Sequence, residues 1–495
     1  MNVLDVLIVT PGGREKIYQG LGQNLTAIEP PLWSRLIAGY LLDRQHSLEI
    51  IDTEAIEWGA DHTANYIAIK APRLVAMVVF GHQPSASTQM MVSAGEICRA
   101  IKASSPKQEI IIVGGHVSAL PELTLREETV DFVCVGEGPV TLDQLLKFKK
   151  NELSSLEQVK GLMWKENGLL RSNERASIIN DLDTELHGNV WHLLPMEKYR
   201  AHNWQCFGNL DQRQPYASIY TTLGCPYKCV FCCINAPFDT NRYRCRSPQA
   251  VVDEIDFLYR NYGVKTFKII DEMFVLKDRH YLNICELLTE KPYSDELNIW
   301  AYARVDTVKK ETLALMRKAG IQWLALGIES GSELVRDGAE KSFSLNDIQE
   351  IVGAIQKADI NVIGNYIFGL PDDTHKSMRE TLDLAKQLNC EFANFYSAMA
   401  YPGSQLYHIA NKKGWPLPDQ WSGYSQHSYD CLPLPTDELS AREVLKFRDE
   451  AFQEYFNNPI YLNMLEQKFD SETKLHVEDM CKTSLARSIL EDSFS

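Results

Sequence analysis

The chain has 495 residues, 45% of them hydrophobic and 23% charged, with a formal net charge of −16. That length exceeds one ordinary hydrophobic core and points to roughly two to four globular domains. The acidic balance argues against grip on a phosphate backbone, and no apolar run is long enough to span a bilayer, so neither a nucleic-acid partner nor membrane association is expected. The opening MNVLDVLIVTPGG reads as a first strand rather than a cleavable leader, which makes a cytoplasmic location the expectation.

Residues 1–150 alternate short apolar runs with amphipathic stretches. Strands are predicted at 3–11, 48–54, 74–82, 109–116 and 131–138, and helices at 31–45, 88–104, 121–128 and 140–150. Near-continuous apolar strands separated by helices predict a doubly wound, Rossmann-like parallel sheet covered on both faces. Such a sheet binds its ligand beyond the carboxyl ends of the strands. The strand ends read TPGG (10–13), GHQPSAST (81–88), GGH (114–116) and GEG (136–138). Glycine admits close backbone approach and Ser/Thr supply small polar groups, although each loop read alone also suits a tight turn. Four such loops on one edge favour a bound nucleotide-like ligand.

Residues 151–205 are polar and irregular, a connector with a small β-element around GLMWKENGLLRS (161–172). From 206 to 410 a second series appears. Strands are predicted at 216–224, 267–272, 298–305, 323–330, 360–371 and 392–403. Helices are predicted near 248–262, 279–290, 308–319, 344–358 and 374–388. Six βα units predict a partial (β/α)6 barrel with its working face at the strand C-termini. Residues 411–495 read as a mainly helical C-terminal region, with a helix over 442–456.

Twelve cysteines in a reducing compartment should be free thiols, most of them simply buried. GCPYKCVFCC is different, because it crowds Cys225, Cys229, Cys232 and Cys233 into nine residues. Zinc usually takes two separated Cys pairs, and no second pair follows. A redox dithiol would use CVFC alone and leave Cys225 unexplained. Cys-x3-Cys-x2-Cys suits a [4Fe–4S] cluster held by three thiolates, with one iron left open. Cys233 offers a second register, Cys-x3-Cys-x3-Cys, or reads as a buried neighbour.

CPYKCVFC resembles the Cys-x3-Cys-x-aromatic-Cys signature of the radical S-adenosylmethionine (SAM) superfamily. The segments RCRSPQAVVDEIDFLYRNYGVKTFKIIDEMF, WAYARVD, GIESGS, IFGLPDDT and AYPGSQLY resemble its cobalamin (B12)-binding subgroup. The resemblance covers residues 1–150 and 205–410, and more loosely the C-terminal region. It implies that Cys225, Cys229 and Cys232 hold the cluster, that SAM chelates the open iron, and that an electron from the cluster cleaves SAM to a 5′-deoxyadenosyl radical. Phe231 would lie near the adenine. Asp271 and Glu272 would meet the SAM ammonium, Arg304 its carboxylate, and Glu329 and Ser330 its ribose or ammonium. Read without the resemblance, Asp271 and Glu272 are helix-capping candidates, and Arg304 is a partner for Asp306 or Glu329.

Toward cobalamin, the resemblance implies contacts from Ser85, Ser87, Thr88, Gly114, Gly115, Gly136, Glu137 and Gly138. The Asp-x-His-x-x-Gly motif that supplies a lower cobalt ligand in many B12 domains is absent. His82 and Gln83 are the candidates for that face. The implied activity is radical methylation of an unactivated carbon of a small molecule, fed by a donor such as flavodoxin or ferredoxin. A non-methylating reaction on the same scaffold, such as an oxidative cyclisation, is the alternative. A tRNA methylthiotransferase would carry a cysteine set for a second cluster in its first domain, where only Cys98 and Cys134 occur. The non-enzyme reading is a cobalamin- or cluster-binding sensor, or an electron carrier, which would normally saturate its cluster with four ligands.

Overall fold

The structure is a computed structural model describing residues 3–22, 25–83, 85–341 and 343–491. Five strands open the chain: β1 (Val6–Thr10), β2 (Leu48–Asp52), β3 (Leu74–Val79), β4 (Ile110–Gly114) and β5 (Phe132–Cys134). All five run parallel in the order β2-β1-β3-β4-β5. β1, β3 and β4 are buried along their whole length, as continuous apolar strands require when helices cover both faces. Helices Leu32–Asp43, Ala60–Lys70, Ala86–Ser104 and Pro139–Lys149 supply the cover. The strand order reverses at β1, so a crevice opens beyond the ends of β1 and β3.

The connector departs from expectation. Its hairpin, β6 (Leu162–Glu166) and β7 (Leu169–Ser172), is not a separate element. β6 pairs antiparallel with β5 and extends the first sheet to seven strands. The reason is edge satisfaction: β5 has only three residues, and its open backbone groups are met by β6.

β8 (Tyr216–Ile219) begins the second sheet. A two-stranded ladder, β9 (Thr222–Leu223) with β10 (Arg244–Cys245), brackets the cysteine loop. β11 (Thr266–Ile269), β12 (Asn298–Arg304), β13 (Ile321–Glu329), β14 (Asn361–Phe368) and β15 (Phe392–Ser397) follow. β8 and β11–β15 lie parallel in chain order, a six-stranded open barrel wall. Local chemistry explains the helix limits. Ser247 caps Pro248–Tyr262, with Pro at its start and Gly263 in the left-handed region at its end. Ser344 with Asp347, Thr374 with Ser377 and Ser440 with Glu443 form capping boxes.

Helices Ala441–Phe456, Pro459–Lys468 and Ser471–Cys481 close the chain. Tyr455 and Tyr461 donate hydrogen bonds to the carbonyls of Cys390 (2.8 Å) and Glu391 (3.0 Å), tying this bundle to the entry of β15. Buried ion pairs fasten the two sheets. Arg244 binds Glu137 at 2.6 Å. Glu254 sits between Arg35 (3.2 Å) and Arg246 (2.5 Å), and Arg35 lies 3.6 Å over Trp191. Among the described residues no helix is long and apolar enough to cross a membrane.

Candidate active site

One cavity of about 600 Å³ lies between the carboxyl ends of the two sheets. From the first sheet come the turn after β1 (Thr10–Arg14) and the turn after β3 (His82, Gln83, Ser85). From the barrel come Cys225, Cys229, Phe231, Cys232, Cys233, Glu272, Arg304 and Glu329. The crevice expected at the switch point and the working face of the barrel are therefore one space.

The cysteine loop follows β9. Gly224 holds it with φ of 82°, and a Cβ there would sit 2.2 Å from the Arg242 carbonyl oxygen, so only glycine fits. Asn235 accepts from the Cys225 N–H (3.4 Å) and donates to its carbonyl (3.1 Å). Burial pushes the Cys225 thiol up to about 11 and raises Cys229 and Cys232 as well. Lys341 and Arg304 oppose that rise at Cys229, and Arg304 Nη1 lies 3.7 Å from its Sγ. Among the described residues no three His, Cys, Asp or Glu side chains converge on a single metal ion. A cluster that takes one thiolate on each of three irons spaces its sulfurs more widely, so three soft donors around one cavity suit it. Cys233 is buried, its thiol raised to about 12 by burial, with its Cβ near Gly403.

The structure separates the two acids at the end of β11. Asp271 does not line the cavity. Its carboxylate turns back to accept from Thr221 N–H (2.6 Å) and Oγ1 (2.5 Å), which secures the end of β8. Glu272 does line it, and burial beside Asp271 pushes its carboxyl up to about 8. Ser330 also turns away, bonding Thr381 at 3.0 Å and accepting from the Ser332 N–H. Glu329 is paired with Lys341. Arg304 is held in two bonds of 2.9 Å by Asp306 and lies 3.9 Å over Tyr227.

The first-domain candidates divide in the same way. His82, Gln83 and Ser85 face the cavity. Ser87 donates to the Val79 carbonyl and accepts from the His116 N–H (2.9 Å). Thr88 bonds His116 Nδ1 at 3.2 Å. Glu137 is committed to Arg244 and to the Ile179 N–H at 2.9 Å. Gly114 packs against the end of β3, where a Cβ would lie 2.0 Å from the Val79 carbonyl oxygen. Gly136 receives and returns bonds with Ser118, and Gly138 sits against Ile37 and Val113. Ser87, Thr88, Gly114, Gly136, Glu137 and Gly138 thus serve the turns themselves rather than the cavity wall. Gly115 lines a second, small space of about 50 Å³ beside Trp33, His82 and Cys233.

Sequence reasoning missed a buried charge cluster at the junction. Glu29 meets Lys268 at 3.0 Å, with His202 Nε2 at 3.7 Å and His82 Nδ1 at 3.9 Å. Burial would raise the Glu29 carboxyl, but Lys268 and the two histidines outweigh it and hold it well below the usual carboxylate range. Burial, with Lys268 adding repulsion, lowers both histidines from their ordinary value, while Glu29 opposes that fall. The available signal was Lys268 itself, a charge inside the apolar run FKII. Gln83 donates to the Tyr302 hydroxyl at 3.1 Å, a second link across the cavity.

The family model described as Radical SAM superfamily matches residues 219–385, and that of the B12 binding domain matches residues 18–146. An uncharacterised methyltransferase of Pyrococcus horikoshii is 28% identical over 460 residues, covering 93% of this chain and 94% of the relative. The anaerobic magnesium-protoporphyrin IX monomethyl ester cyclase of Cereibacter sphaeroides is 26% identical over 397 residues, 79% of this chain and 62% of the relative. The fold is that of the radical SAM methyltransferase TsrM from Kitasatospora setae, solved with cobalamin and a [4Fe–4S] cluster, at a TM-score of 0.71 and 16% identity over 97% and 99% of the two chains. The two domains call for a [4Fe–4S] cluster, SAM and cobalamin, and the three-thiol loop and the cavity shared by both sheets suit that set. The chain belongs to the cobalamin-binding radical SAM enzymes.

Proposed function

We propose that this enzyme methylates an unactivated carbon of a small molecule in the cavity between its two sheets. One observation carries the reading: the cysteine loop and the β1 and β3 turns open onto the same cavity. When bound there, the cluster and SAM supply a carbon-centred radical, and cobalamin supplies a transferable methyl group. Cys225, Cys229 and Cys232 hold the cluster. Their burial-raised thiols would have to lose protons to hold iron, with Lys341 and Arg304 favouring the charged form at Cys229. Glu272 offers a carboxyl to the SAM ammonium, since a cation beside a buried acid draws it to its charged form. Phe231 walls the adenine side. His82, Gln83 and Ser85 face cobalamin from the first domain. Trp300, Tyr302 and Tyr396 make the intervening wall largely aromatic and exclude water from the reacting atoms. An acidic redox protein such as flavodoxin or ferredoxin supplies the electron.

Relatives named as anaerobic ester cyclases support a second reading, a non-methylating radical reaction on the same scaffold. Anaerobic reconstitution with cobalamin and methyl-labelled SAM, supplied with candidate substrates, tests both. Formation of 5′-deoxyadenosine and S-adenosylhomocysteine supports methylation. Deoxyadenosine alone supports the second reading. A reconstituted protein that yields neither compound from SAM refutes both.

A further inference from the structure

We propose that the exposed edge of the cysteine loop, with Lys228, Arg242 and Lys277, is the docking face for an acidic one-electron donor protein. The inference rests on the cluster assignment above and adds where the electron enters. Pro226, Tyr227 and Lys228 lie between Cys225 and Cys229, and Pro226 and Lys228 are exposed. Arg242 is exposed, and its carbonyl packs against Gly224, immediately before Cys225. Lys277 is exposed and lies 5.0 Å over the ring of Tyr243, the neighbour of Arg242. Arg279 is exposed two residues further on. Gly224 and Tyr243 thus tie Arg242 and Lys277 to the cysteine loop.

The charge of this surface opposes that of the molecule. The chain carries −16 overall, yet among the described residues no carboxylate forms an ion pair with Lys228, Arg242, Lys277 or Arg279. The neighbouring acids are already engaged: Asp306 by Arg304 (2.9 Å), Asp278 by Lys309, Asp239 toward Arg175 (4.0 Å), and Asp183 by the Ser247 N–H (3.0 Å). Unpaired like charges around an exposed loop are maintained at a cost in self-repulsion and steer an oppositely charged partner. An acidic donor is repelled by the rest of the surface and drawn here. One electron then leaves the donor's reduced cofactor and enters the cluster across the loop edge. Arg304 links the loop edge to a ligand: it lies 3.9 Å over the Tyr227 ring, with its Nη1 3.7 Å from Cys229 Sγ.

The test uses protein loaded with iron and sulfide, and reduced flavodoxin as the probe. Binding is measured by calorimetry, and cluster bleaching by anaerobic stopped flow. In the triple variant K228E/R242E/K277E, Kd should rise roughly tenfold or more and the flavodoxin-driven rate should fall by a similar factor. Reduction by dithionite and the iron and sulfide content should stay at the parent level. Salt should weaken parent binding and leave the variant nearly insensitive. K228Q/R242Q/K277Q should fall between the two. K376E, a reversal of an exposed helix lysine outside this set of residues, should leave Kd unchanged. Unchanged flavodoxin binding in the triple variant, an equal effect from K376E, or loss of iron and sulfide from the triple variant would overturn the docking face. A parent protein that never takes up iron and sulfide would instead overturn the cluster reading on which it rests.

Discussion

Glu29 and Lys268 stand 239 positions apart and form a buried ion pair at 3.0 Å across the junction of the two sheets. Neither charge is compensated within its own element. Removing one partner strands the other in a dry interface, which typically costs about 3–5 kcal/mol. Glu29→Gln should therefore lower the urea midpoint strongly, while Glu29→Leu with Lys268→Met should recover most of the loss. Equilibrium unfolding of the single and double variants checks this. The Glu29 carboxyl is depressed, so its stabilisation is present above the ordinary carboxylate pKa and is lost only in strong acid.

Cys232→Ala should abolish cluster assembly, and Cys233→Ala should retain it. Iron and sulfide per chain, with electron paramagnetic resonance of the reduced protein, give the readout. Cys233 is buried against Gly403, so its alanine variant loses only a small packing contact. The reverse result would shift the ligand register by one residue.

Asp52 gives a pH signature of opposite sign to that of Glu29. Burial pushes its carboxyl from 3.8 up to about 7, against the hydrogen bonds from Ala55 N–H and Tyr199. The folded protein then holds a proton that the unfolded chain releases. Stability falls as pH rises from about 4 to about 7, by an amount on the order of a few kcal/mol, and levels off above that. Asp52→Asn should flatten this slope, so that the variant gains most over the parent at pH 8 and least at pH 5. Urea titrations at the two pH values measure it.

Gly114→Ala should damage the first domain out of proportion to one methyl group. Its Cβ would stand 2.0 Å from the backbone oxygen of Val79, which is held in the β3–β4 ladder and has no rotamer to yield. A loss of about 1–3 kcal/mol is expected. Cobalamin retained per chain after gel filtration should fall, while iron content in the barrel domain should remain near the parent value.

The sequence by itself determined the units. Strand runs, capped helices and the cysteine spacing are local signals, because hydrophobic period, cap chemistry and ligand spacing act within a few residues. Pro248–Tyr262 coincides with the expected 248–262 and His375–Leu388 starts one residue after the expected 374–388, and the two sheets were legible as doubly wound and barrel-like. Tertiary structure decided which groups share the cavity. Asp271 and Glu272 are adjacent in sequence and equally acidic, yet one secures Thr221 and the other faces the cavity, as neighbouring residues of an extended segment point to opposite sides. Glu137 accepts a 2.6 Å bond from Arg244, 107 positions away. The connector hairpin joined the first sheet because β5 offered an edge. Pairing between distant charges and strand edges depends on how the domains dock, and no local pattern encodes it.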